Sequence, residues 1–287
     1  MNNLLIYNKK KSKLLDALNL IYDLEYIKKP SFLSALFTKQ TQYPDIYFYD
    51  SKLDKYNIEL LLNSKLIIVN SNAQKQYLVK KLPALDMNNI KVVYPYIDHD
   101  SIYDEYLQEN FKKNHNIDLD TKIIFFRANK LSKNGIKTVL SIVSNLNSAN
   151  FTLLVESSKK EIDSLRVQLQ IMKIKFNVIL VEDYKNKNEL FMISDIFLFP
   201  SSSRFFNRDI LKAGFYKTAI FVSCNNYASE VVDTFATIEL DDEHSTIFKI
   251  DALLSNSSEL EVVKDTNYKQ LKKYFFSNSF NSLKNLF

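Results

Sequence analysis

Apolar residues in this chain fall in short runs bounded by polar or turn-forming residues, and between these runs lie segments with apolar positions at helical spacing. Asn3–Tyr7 (NLLIY), the IYFYD run after Pro44-Asp45, Leu66–Asn70 (LIIVN) and Asn89–Asp98 (NIKVVYPYID) read as four strands. Ser12–Leu24, Asn57–Asn63 and Ala73–Lys81 read as helices, the last capped by Ser71, whose hydroxyl can accept from a free N–H of the first turn. Tyr26–Gln42 reads as mixed loop and helix, and Ser101–Asn116 as a polar helix or linker with a solvated His115.

The second half repeats the alternation. Strands are predicted at Thr121–Arg127, Phe151–Glu156, Asn177–Val181, Ile196–Phe199 and Thr218–Ser223. Between them lie an amphipathic helix after Gly135, a charged helix over Lys159–Lys173, a helix over Lys187–Ile193 and one from Asp209 to Phe215. Residues 236–255 alternate strand-like and acidic stretches, with His244 in an exposed acidic loop, and Tyr268–Phe287 is an aromatic-rich amphipathic helical region. Strands alternating with helices imply parallel sheets.

A length of 287 residues suffices for two modest α/β domains or one large one, and a 46% apolar content excludes a disordered chain. The net charge of +5 comes from dispersed lysines, which read as a solvated surface, so nucleic acid is not an expected partner. The single cysteine, Cys224, excludes an internal disulfide and fits a reducing compartment. Its place at the end of an apolar strand reads as a small buried hydrophobe before a nucleophile. No apolar run approaches the ~20 residues of a membrane span, and Lys9-Lys10-Lys11 is not followed by a signal-peptide core, so a cytoplasmic location is expected, including peripherally at the inner membrane. Glycine occurs only at 135 and 214, which excludes a P-loop and a GxGxxG fingerprint. No metal-ligand spacing is present.

Chemistry is expected in Ser194–Glu230, where an apolar strand ends in Pro200 and serines, a helix follows, and a second apolar strand begins at Thr218. In a βαβ unit, ligands sit outside the carboxyl ends of the strands, so the loop Ser201–Arg208 and the helix start after it are the place to look.

This stretch resembles the donor-binding half of GT-B glycosyltransferases of the retaining family 4 type. Pro200, Ser201, Phe206, Ala213 and Glu230 match that frame. Arg204 and Lys212 stand where the family has its two glutamates, Phe205 and Asn207 replace the flanking glycines, and Lys217 and Ala219 replace a later Gly and Pro. Asn225-Asn226 replaces a Gly-Gly turn, with asparagine as the residue that best tolerates left-handed backbone. Asn89–Asp98 resembles the segment leading into the interdomain linker, with Tyr96 in place of glycine. Asn8 and the lysines after it stand where a Gly-Gly loop is usual, and no histidine ends the IYFYD strand.

The resemblance implies an α/β, GT-B-like fold of two Rossmann-like domains with parallel sheets. A reduced acceptor-side domain would cover residues 1–100, a donor-nucleotide domain 101–267, and a helix over 268–287 would return to the first domain. It implies transfer of a sugar from a nucleotide-sugar donor to a glycan, lipid-linked or protein acceptor, with the donor as substrate, no cofactor and no metal. The implied donor-binding residues are Arg127, Lys133, Arg204, Phe206, Asn207, Lys212 and Glu230. Arg127 and Lys133 would grip the diphosphate, although a match without a gap selects Asn129 and Asn134 instead. Tyr184, in the loop that lines the base in that family, is a candidate for stacking or an ordinary packed aromatic. Loss of both glutamates equally suits an inactive pseudo-glycosyltransferase that binds a partner protein.

Overall fold

The computed structural model describes residues 3–8, 12–27, 42–49, 53–98, 106–148, 150–172, 174–239 and 243–287. The run Lys9–Lys11, most of Tyr26–Gln42, the strand end at Asp50-Ser51 and the start of Ser101–Asn116 lie outside the described residues. The chain forms two compact units, one of Met1–Tyr96 with Tyr274–Phe287 and one of Ile97–Lys273.

In the first unit, strands β1 (Asn3–Tyr7), β2 (Asp23–Tyr26), β3 (Ile46–Phe48), β4 (Leu66–Val69) and β5 (Ile90–Val92) form a parallel sheet in the order β2-β1-β3-β4-β5. Among the described residues the sheet therefore has five strands rather than the four expected. The extra one, β2, hides in sequence because only Leu24 of DLEY is buried. Helix α1 (Lys13–Leu18) stops well before Leu24, and Asn19 Oδ1 accepts from Leu24 N–H at 3.2 Å to turn the chain into the strand.

Helices α2 (Lys55–Leu62) and α3 (Asn72–Lys81) start at side-chain caps: Asp54 accepts from Asn57 N–H at 2.9 Å, and Ser71 from Gln74 N–H at 3.0 Å. Period-two alternation sends Ile6, Ile46 and Ile68 to one face of the sheet, with Leu14, Leu18 and Leu283, and Tyr7, Tyr47, Ile67 and Val69 to the other, with Leu60 and Leu78.

The second unit contains α4 (Leu107–Asn114), β6 (Lys122–Arg127), α5 (Ile136–Ser144), β7 (Phe151–Ser157), α6 (Lys159–Met172) and β8 (Asn177–Glu182). It continues through α7 (Lys187–Met192), β9 (Ile196–Phe199), α8 (Arg208–Phe215), β10 (Ala219–Ser223), β11 (Thr237–Ile238), α9 (Glu243–Ser255) and α10 (Ser257–Leu271). Its six-stranded parallel sheet has the order β11-β10-β9-β6-β7-β8. The central runs IIFF of β6 and IFLF of β9 are fully buried, as strands covered on both faces must be. Phe125 and Phe197 meet across neighbouring strands with ring centroids 5.6 Å apart.

Three expectations are corrected here. Most of 236–255 is one helix, α9, because Thr246, Ile250, Leu253 and Leu254 recur at helical spacing and are buried; exposed His244 lies in its first turn and not in a loop. The terminal helical region is two helices: α10 belongs to the second unit, and a separate helix, α11 (Phe276–Lys284), packs on α1 in the first, where Ser279 Oγ donates to Tyr94 O at 2.9 Å. Cys224 is exposed rather than buried, because β10 ends at Ser223 and the alternation that would turn the thiol inward stops there. His115 is exposed as expected and stacks on Phe111 at the end of α4. Among the described residues no helix is long and apolar enough to cross a membrane.

Candidate functional site

In the second sheet the chain leaves β6 toward β7 and β8 on one side and resumes at β9 on the other, so the topological switch point lies between β6 and β9. The loops after these two strands touch. Gly135, which starts α5, has a φ of +96°, and a Cβ built there would lie 2.7 Å from Pro200 O. Only glycine allows both that dihedral and that approach. Ser201, fully buried, donates through Oγ to Asn134 Oδ1 at 3.3 Å. Asn134, the residue chosen by the gap-free match, is thus the one that meets the Pro200-Ser201 turn. Lys133 beside it is exposed, as is Asn129.

Arg127, the last residue of β6, does not stand open. Its Nε donates to Glu156 Oε2 at 2.8 Å, and its Nη1 pairs with Asp209 Oδ2 in the first turn of α8. Burial alone would lower the guanidinium pKa, but Asp209 and Glu156 together raise it. Glu156, at the carboxyl end of β7, is only 1% exposed and also receives Lys187 Nζ at 3.4 Å.

Helix α8 begins at Asn207, whose Oδ1 accepts from Asp209 N–H at 3.1 Å. Asn207 N–H in turn donates to Asn226 Oδ1 at 3.3 Å, and that oxygen also accepts from Ala228 N–H at 3.0 Å. The loop after β10 is thereby tied to the start of α8. Asn226 has a φ of −76°, so this turn does not use the left-handed backbone expected of a Gly-Gly replacement. Left-handed geometry appears instead at Lys217, with φ of +55°, where the family pattern has its later glycine.

Lys212 projects from the second turn of α8, half-buried, and donates to Asn188 Oδ1 of α7 at 3.0 Å. Burial pushes its ammonium below the ordinary lysine value, against the opposing pull of Asp209. Phe206 is 9% exposed and packs as core, whereas Arg204 is exposed in the loop before it. Glu230 is exposed in a 3₁₀ turn over Tyr227–Val231 after β10. Tyr184 donates to Glu189 Oε2 at 2.8 Å, and burial, then that bond, raises its phenol pKa.

Arg127, Asn207 and Lys212 are thus gathered around the start of α8, with buried Phe206 just before its cap in the chain. Lys133, Arg204 and Glu230 lie on exposed loops after β6, β9 and β10. Sequence reasoning missed Glu156, Lys187, Asn188 and Asp209 as members of this cluster. For two of them the sequence offered only the residue type and its place, an acid near the carboxyl end of a strand and an acid in a helix first turn; their approach to Arg127 is made by the sheet. Among the described residues no three His, Cys, Asp or Glu side chains form a group that could hold a metal.

No family model matches the sequence, and no curated protein matches it. Solved structures do. Anabaena HepE, in a crystal structure with UDP and glucose, superposes with a TM-score of 0.74 at 11% identity over 98% of this chain and 77% of that one. A glycosyltransferase from Rickettsia africae gives 0.72 at 16% identity over 97% and 81%. WaaG, a glycosyltransferase involved in lipopolysaccharide biosynthesis, gives 0.67 at 11% identity over 98% and 90%. At these identities the likeness is one of fold, and with the two parallel Rossmann-like sheets described above it shows that this chain has the GT-B fold of glycosyltransferases.

Proposed function

We propose that the chain is a glycosyltransferase of the retaining family 4 type that binds a nucleotide-sugar at the β6/β9 switch point and passes the sugar to a glycan, lipid-linked or protein acceptor. The observation that carries this reading is the junction of the loops after β6 and β9, through Gly135 against Pro200 and Asn134 with Ser201, beside a cluster of basic side chains at the start of α8. Such a junction outside the carboxyl ends of parallel strands is where dinucleotide-like ligands sit. The donor-binding set of this reading is Arg127, Lys133, Arg204, Phe206, Asn207, Lys212 and Glu230. Cationic side chains and first-turn N–H groups of α8 would stabilise a departing diphosphate, without a divalent ion. Glu230 would face the sugar.

Calorimetric titration with UDP, GDP and UDP-sugars in chelator-treated buffer tests the reading. Micromolar binding without metal is expected, and sugar release from a bound UDP-sugar would follow. Silence with every nucleotide overturns it.

One observation favours a second reading, a binding subunit that kept the scaffold. Arg127 already has two carboxylate partners, and Arg204 and Lys212 replace the family's acids, so the usual acceptors for ribose hydroxyls are missing. That reading expects no nucleotide binding and a stable complex with a partner protein.

A further inference from the structure

The cations at the start of α8 are not equivalent, and their differences assign them separate tasks. Arg127 is paired on two sides, with Glu156 through Nε and with Asp209 through Nη1, and is 12% exposed, so it braces β6, β7 and α8 together. Asp209 and one oxygen of Glu156 are engaged by it, and the other Glu156 oxygen faces Lys187. Lys212 has no such partner. Among the described residues its ammonium meets one hydrogen-bond acceptor, the neutral amide oxygen of Asn188, although an ammonium carries three donors. Lys187, from the same short helix as Asn188, reaches Glu156 at the long distance of 3.4 Å and is 39% exposed. Asp98 and Asp209 act on Lys212 only through space, and burial outweighs them. A partly desolvated ammonium served by one neutral acceptor, with a second ammonium nearby, is under-compensated, and a compact anion relieves it.

We infer that Lys212, with Lys187 and Asn188, forms a phosphoryl-binding seat between α7 and α8, and that Arg127 is a positioning residue rather than the phosphate grip. This rests on the donor-binding reading for its natural ligand, a nucleoside diphosphate, but not for the seat itself.

The test uses the full chain with inorganic pyrophosphate, UDP and uridine. Lys212→Met and Lys187→Met are expected to weaken pyrophosphate and UDP binding about tenfold or more each, as loss of a charge-assisted contact does. Uridine binding is expected to stay unchanged. In the unmodified protein, acylation of amines read by mass spectrometry is expected to label Lys212 readily, and pyrophosphate is expected to protect it.

Pyrophosphate binding that depends on Lys212, with no nucleotide bound, supports the seat and removes the donor reading. UDP binding indifferent to both lysines, with Lys212 labelling unprotected, overturns the seat and leaves the donor reading standing. Absence of any binding to pyrophosphate or UDP, again with no protection, also overturns it.

Discussion

Lys264 Nζ lies 2.7 Å from Asp195 Oδ1 inside the second unit, with the two side chains 10% and 4% exposed. Asp195 precedes β9, at the opposite end of the sheet from the candidate site, and its other oxygen accepts from Ile123 N–H at 2.9 Å. The pair ties α10 to β6 and β9. Removing one partner leaves a buried charge uncompensated, so Lys264→Met is expected to cost about 3–5 kcal/mol in urea unfolding, and Asp195→Asn with Lys264→Met distinctly less than the sum of the two single changes.

The same lysine gives a pH signature. Burial alone would lower its pKa, but Asp195 and Glu261 raise it above the ordinary 10.5. A raised folded-state pKa means that the ammonium's contribution is complete below the unfolded value and is lost as pH climbs through the folded one. Unfolding midpoints are therefore expected to drop above about pH 10.5 in the native chain. Lys264→Met is expected to lack that component of the drop.

Arg127 and Lys212 should part company in stability as well as binding. Arg127→Met takes from Glu156, which is 1% exposed, its 2.8 Å partner and leaves it Lys187 at 3.4 Å, and is expected to cost about 3 kcal/mol. Arg127→Lys keeps one charge but cannot bridge two carboxylates in fork geometry, and should recover only part of that. Lys212→Met removes a half-buried ammonium bound to a neutral amide, and thermal unfolding is expected to show it as stable as the native chain or more so.

Much of the fold was legible because central parallel strands are apolar throughout: IIFF and IFLF admit few other readings. The element missed, β2, is an edge strand with a single buried residue, so local pattern carried no signal and pairing with β1 decided it. The site was legible only in part. Pro200-Ser201 and Asn207 could be found from their frame. The partners of Arg127 lie 29 and 82 residues away in sequence, and only the sheet brings them together. The family resemblance marked Arg127 as a diphosphate ligand, whereas its carboxylate partners, Glu156 and Asp209, could not be read from the sequence.

Gly135→Ala is expected to be costly at the switch point. The new Cβ would have to share a φ of +96° with a contact 2.7 Å from Pro200 O, a backbone atom that cannot swing away. Left-handed strain and overpacking together predict a loss of about 2 kcal/mol or more, read in denaturant midpoints. Because Pro200 leads into Ser201, the substitution is also expected to weaken nucleotide binding beyond its effect on the folded fraction, which calorimetry on the folded protein would show.

Lys217 predicts the reverse. It follows α8 with φ of +55°, a region that costs a residue with a Cβ roughly 1–2 kcal/mol. Its side chain offers little in exchange: an ion pair with Asp265 at 3.2 Å whose members are 50% and 52% exposed, and a cation–π contact to Tyr268 at 5.8 Å. Exposed pairs of this kind contribute about 0–1 kcal/mol. Glycine adopts the left-handed geometry without strain but loses more chain entropy on folding, which subtracts from the gain. The balance favours Lys217→Gly by about 0.5 kcal/mol, and an unfolding midpoint shifted upward at unchanged denaturant slope is the expected result. A drop in midpoint would mean that the contacts to Asp265 and Tyr268 outweigh the strain, and Lys217→Asn, which keeps a side chain tolerant of that backbone, would then separate the two effects.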